Sequence, residues 1–122
     1  MDVKSAVMES KNKIEWADFE KVDVRVGTII EVHDFPEAKK PAYQLYIDFG
    51  KDVGILKSSA QITKRYSKDN LLHRQIIAVV NFPKKQIGKF MSECLVLGAV
   101  EQEGDVVLLH PDFSVENGTR MA

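Results

Sequence analysis

The chain of 122 residues contains one cysteine, Cys94. An internal disulfide is therefore excluded, and a lone thiol inside an apolar run reads as packed rather than reactive, in keeping with a reducing compartment. No run of eighteen apolar residues is present, and the opening MDVKSAVMES lacks the apolar segment of a secretory signal. The expected address is cytoplasmic, without membrane insertion. His33, His73 and His110 are isolated from one another, and no metal-ligand spacing, nucleophile elbow or phosphate loop occurs. The stretch Ser92-Glu93-Cys94 has no motif that sets a histidine beside it, and Gly98 and Gly104 do not make a dinucleotide fingerprint. No enzyme, catalytic residue, metal or cofactor is expected. Repeats, low-complexity tracts and linkers are missing too.

What is present is an ordinary folded composition, 44% hydrophobic and 29% charged, of a size for one domain. The net charge of −1 conceals a strong polarity. Residues 1–56 hold eight Lys/Arg against eleven Asp/Glu, and residues 91–122 hold Arg120 against six acids. Between them, residues 57–90 hold eight Lys/Arg against Asp69 alone. Such a middle third is a candidate electropositive face, able to attract a polyanion that the whole-chain charge would not.

Residues 1–13 have weak periodicity and are expected to form an arm. IEWADFEKV reads as a short helical turn, with Trp16 expected to plug one end of a sheet rather than stack on a base. VDVRVGTIIEV is a long first strand. Alternation puts Val22, Val24, Val26, Thr28, Ile30 and Val32 on one face, and Asp23, Arg25, Gly27, Ile29 and Glu31 on the other. Gly27 marks a bend or close approach, and Asp23 and Arg25 are placed to pair. HDFPEAKKPA is a loop, YQLYIDFG a second strand with Tyr43, Leu45, Ile47 and Phe49 on one face, and VGILKSS a third. A short helix follows, with Ser59 as its expected cap. QIIAVVNF is the fourth strand, SECLVLGAV contains the fifth, and EQEGDVVLL adds a turn and one more strand. NFPKKQIGKFMSECLVLGA, residues 81–99, reads as an exposed basic turn leading back into the sheet.

These elements predict an all-β fold, a five-stranded OB-fold barrel with short helical segments and terminal extensions. An SH3-like barrel is the rival on periodicity alone. The domain is expected over residues 14–118, with a tail at 119–122.

Four separated segments carry a family resemblance: FEKVDVRVGTI, DFPEAKKPAYQLYIDFG, LKSSAQIT and NFPKKQIGKFMSECLVLG. Together they resemble the EMAP II-like tRNA-binding domain family, and within it the CsaA-like branch. Asn81, Pro83, Lys85 and Gly88 match the family's basic turn, and Ser92 and Glu93 match the first half of its Ser-Glu-Gly-Met. Cys94 and Leu95 replace the Gly-Met, as in that branch. Phe35 stands where the wider family has a histidine, which makes the loop more apolar. The resemblance implies a non-catalytic homodimer that binds tRNA. For the CsaA-like branch it implies a chaperone for unfolded or precursor polypeptides in secretion, with the protein-export ATPase as a further partner. The alternative it leaves is a tRNA-binding accessory module.

Two candidate sites follow. For nucleic acid, Lys84, Lys85 and Lys89 would neutralise phosphates, with Lys57, Lys64 and Arg65 extending the track. Ser58, Asn81 and Ser92 would hydrogen-bond beside them, or equally satisfy the local backbone. For polypeptide, Phe35, Phe82, Phe90 and Met91 would line a groove for apolar side chains, against the alternative of core packing or a dimer interface.

Overall fold

The computed structural model describes residues 12–122, so the expected arm lies outside the described residues apart from Asn12 and Lys13. Strand β1 (Val24–Asp34) is the longest, and it serves two neighbours. Its first half pairs antiparallel with β4 (Gln75–Val79) and its second half with β2 (Tyr43–Asp48), which pairs in turn with β3 (Ile55–Ala60). With β7 (Leu95–Val96) the sheet order is β3-β2-β1-β4-β7. A five-stranded, nearly closed OB-fold barrel results, with α2 (Lys68–Leu71) between β3 and β4. Its interior holds Ile29, Leu45, Ile47, Phe49, Leu71 and Ile76, all fully buried.

The face assignment of β1 holds as far as Ile29, which shares the inward face with Gly27, and needs a correction beyond it: a bulge between Ile29 and Glu31 shifts the register, so that Val32 rather than Glu31 packs inward next. Gly27 is a close-approach position, since a Cβ there would lie 2.7 Å from Ile47 and Phe49 side-chain carbons. Gly27→Ala is expected to lower stability by about 1–3 kcal/mol through overpacking, read from the shift in urea midpoint at unchanged m.

The barrel does not close by a regular ladder. Side-chain and backbone hydrogen bonds join β3 to the segment before β7. Glu93 Oε1 accepts from the Lys57 N–H (3.0 Å), and Lys57 O accepts from the Glu93 N–H (2.7 Å). Ser58 Oγ donates to Cys94 O (2.9 Å), and the Ser59 N–H donates to Ser92 Oγ (3.1 Å). The C-terminal segment is stitched to the first half of β1, where the Val26 N–H donates to Thr119 O and the Met121 N–H to Val24 O.

Two further expectations are corrected. The cap of α2 is Ser67, whose Oγ accepts from Asn70 N (3.2 Å), while Ser59 lies in β3. The shorter helix that results has room for a Ser-x-x-Asn box but not for a start at Ser59. Trp16, in α1 (Trp16–Glu20), is no core plug: it is 67% exposed and touches Phe19 at 5.5 Å between ring centroids. A five-residue helix with no buried member lies on the outside of the barrel. Among the described residues no helix is long and apolar enough to cross a membrane.

Candidate functional site

The basic turn between β4 and β7 folds into a hairpin of its own, β5 (Lys85–Ile87) and β6 (Phe90–Ser92). Ile87 pairs with Phe90, which leaves Gly88 and Lys89 as the two-residue turn. Gly88 has φ +61°, as the first central position of a type II′ turn requires. Lys89 is thereby held at the tip.

Phe90 fastens this hairpin to the loop between β1 and β2. Its ring lies 5.2 Å from that of Phe35, and both are buried with Ala42. Ala38 and Ile87 pack against them. Phe35-Pro36-Glu37-Ala38 is itself a turn, closed by Ala38 N–H to Phe35 O (3.2 Å). The two loops that frame the binding face of an OB-fold are thus one packed unit, which carries Lys39, Lys40, Lys85 and Lys89 together on its exposed surface. Neither Lys85 nor Lys89 has a carboxylate partner among the described residues.

Between the loops, the outer faces of β2 and β3 present Gln44, Tyr46 and Lys57, which floor a depression of about 220 Å³. Lys57 Nζ stands over the Phe90 ring, 5.1 Å from its centroid. His33 braces Tyr46 edge-on at 5.5 Å and 88°, and is itself held by Glu31 Oε1 at 2.9 Å. On the other flank of the hairpin, Phe82, Pro83, Cys94 and Leu95 line an apolar depression of about 230 Å³ beside Lys85. Phe82 and Leu95 are about half exposed. Burial pushes the Cys94 thiol up to about 12, so it contributes packing and no nucleophile.

The expected site residues separate accordingly. Lys57, Lys84, Lys85 and Lys89 belong to this region, though Lys84 pairs with Glu93 at 3.4 Å. Lys64 and Arg65 are answered by acids of the β8–β9 hairpin (Gly98–Val100 and Val106–Leu108): Lys64 by Glu103, and Arg65 by Asp105 (2.6 Å) and Glu101 (3.4 Å). Ser58 and Ser92 are engaged in the barrel seam. Asn81 joins α1 to β1, accepting from Asp23 N and donating to Lys21 O. Of the apolar set, Phe82 is accessible and Met91 half-buried. Phe35 and Phe90 are only 5% and 7% exposed and pack on each other, as the core-packing alternative has it, while their rings still line the depression beside Tyr46 and Lys57. Tyr46, Gln44 and Leu95 are additions. The alternation that buries Leu45 and Ile47 already turned Tyr46 outward, so that signal was available.

The Arg65 guanidinium holds the Asp105 carboxyl below the usual carboxylate range through its hydrogen bond. The folded pKa lies below the unfolded one, so this contribution is complete above the ordinary Asp value of about 3.9. It disappears as pH falls through the depressed folded value. Arg65→Ala is expected to return Asp105 to the ordinary range, read from its carboxyl shift in an NMR titration.

The barrel topology and the two framing loops define an OB-fold binding domain, and residues 24–120 match the family described as "Putative tRNA binding domain". The chain belongs to that family. It is similar to the crystal structure of the CsaA chaperone protein from Picrophilus torridus, with 56% identity and a TM-score of 0.85, covering 90% of this chain and 100% of that one. The chaperone CsaA of Bacillus anthracis str. Ames matches at 49% identity and TM-score 0.86, covering 91% and 100%. A methionine–tRNA ligase of Thermococcus onnurineus is 38% identical over 108 residues, 88% of this chain. The chain spans 14% of that ligase's length. Among the described residues no group of three His, Cys, Asp or Glu side chains is arranged to hold a metal.

Proposed function

We propose that this chain is a non-catalytic binding protein of the CsaA type, a chaperone for unfolded or precursor polypeptides that also binds tRNA. One observation carries the reading: the β5–β6 hairpin joins lysines without carboxylate partners to accessible apolar side chains, with Lys89 lining the depression over Tyr46 and Lys85 lining the apolar depression of Phe82 and Leu95. The lysines and the face around Tyr46 suit a phosphate backbone with unpaired bases. The apolar depression suits side chains that a folded protein would bury. Lys57, Lys85 and Lys89 are the nucleic-acid residues of this proposal, and Phe82, Leu95 and Met91 the polypeptide residues. Ser58, Ser92 and Asn81 act as positioning residues.

Homodimerisation belongs to the same reading. Trp16 and Phe19 on α1, with Ile14 just before it, are exposed apolar side chains, which suit a second copy. The protein-export ATPase is a further proposed partner, supported by the likeness to CsaA chaperones alone. The test is a pair of assays on the intact chain, tRNA titrated over a range of salt and suppression of aggregation of a chemically unfolded polypeptide. Both activities are expected, the first with a steep salt slope. Salt-sensitive tRNA binding without any effect on aggregation would reduce the protein to a tRNA-binding module.

A further inference from the structure

The depression between the two framing loops contains one group that a general phosphate-binding face would not need. Glu37 lines it, opposite Lys57 and Lys89, and has no ion-pair partner among the described residues. It sits at the second central position of the Phe35–Ala38 turn, where Pro36 at the first central position fixes the backbone. Packing of that turn on the hairpin places the Glu37 Cβ 3.9 Å from where a Cβ on Gly88 would stand, so the root of this side chain is fixed between the two loops and its carboxylate extends from there. Beside it are the amide of Gln44 and the ring of Tyr46. A carboxylate among lysines weakens attraction for phosphate, so its chemical use lies elsewhere.

A carboxylate offers two parallel acceptors. Among unpaired nucleobases, guanine alone presents two adjacent donors, N1–H and N2–H₂, on its Watson–Crick edge. Aromatic faces accept any base, whereas edges are read by such hydrogen bonds. Lys57, held over the Phe90 ring, and Lys89, at the hairpin tip, flank the carboxylate and disfavour a cationic side chain as the occupant. We propose that this depression is a subsite for one unpaired guanine of a single-stranded RNA segment. The base stacks on Tyr46, its Watson–Crick edge faces Glu37 and Gln44, and Lys57 and Lys89 hold the adjoining phosphates. This inference rests on the RNA-binding reading above.

The test uses fluorescence anisotropy with the intact chain and short oligouridylates carrying one central guanosine, adenosine, cytidine or uridine. The guanosine oligomer is expected to bind about tenfold more tightly than the uridine one. Glu37→Gln replaces two acceptors by one acceptor and one donor, and is expected to abolish that preference. The same change should leave uridine-oligomer affinity equal or higher, because a negative charge is gone. Tyr46→Ala should weaken all four oligomers together. Equal binding of the four by the wild-type chain would overturn the inference while leaving the RNA reading intact, as would a preference that survives Glu37→Gln. Failure of every oligomer and of tRNA to bind at low salt would overturn both. Because Glu37 is exposed, its replacement leaves the fold in place, and circular dichroism of the variant verifies this.

Discussion

Reversing the charge of Lys85 and Lys89 together is expected to weaken tRNA binding by at least roughly tenfold at physiological salt and to flatten its salt dependence. Each lysine that neutralises a phosphate releases a counterion, so each loss should lower the slope of log K against log salt by about one. Lys84 should contribute less than either, since Glu93 already shares its charge at 3.4 Å. Lys64 and Arg65 should contribute least, as Glu101, Glu103 and Asp105 stand against them. The ranking is the informative part: a Lys64 or Arg65 variant that changed the slope as much as Lys85 would place the polyanion on the other side of the barrel. Thermal unfolding of the Lys85/Lys89 variant should be nearly unchanged, because both residues are exposed.

Glu93→Ala is expected to act in opposite directions on stability and on RNA binding. One Glu93 oxygen accepts from the Lys57 N–H at 3.0 Å, and the other pairs with Lys84. Loss of a hydrogen bond to a charged group costs about 1.5–3 kcal/mol, and here it also loosens the side-chain seam that closes the barrel. Glu93→Gln keeps an acceptor for Lys57 and loses only the partly exposed pair with Lys84, so it should cost less than about 1 kcal/mol. Both changes remove a negative charge from the lysine hairpin and free Lys84, so both should raise tRNA affinity. Denaturant unfolding and tRNA titration on the two variants check this. Equal destabilisation by Ala and Gln would show that the ion pair, rather than the seam, was the stabilising element.

The barrel was legible in the sequence wherever the interaction is periodic. Leu45, Ile47 and Phe49 alternate, and they line the interior; the length of the first strand foretold that it serves both halves. Residues whose roles depend on distant partners were not legible. Ser58 and Ser92 look like polar residues beside a lysine loop, but they meet across a seam between segments more than thirty positions apart. Lys64 and Arg65 look available until the β8–β9 hairpin brings three acids to them. Phe35 and Phe90 lie in separate loops, and a loop aromatic reads as exposed until the loops are seen to pack on each other. Alternation also failed beyond Ile29, where Val32 rather than Glu31 turns inward, because a bulge changes parity without leaving a proline or glycine at the site.

One hairpin, residues 81–95, serves both ligands, because Lys85 lines the same apolar depression as Phe82 and Leu95. A competition titration at about 0.15 M salt, where surface charges are partly screened, tests it most directly. Labelled unfolded polypeptide is bound first, deacylated tRNA is then added, and a neutral polymer serves as control. Displacement by tRNA is expected, and it should be lost when Lys85 and Lys89 are reversed. Polypeptide binding that persists under saturating tRNA would contradict it and place the two ligands on separate surfaces.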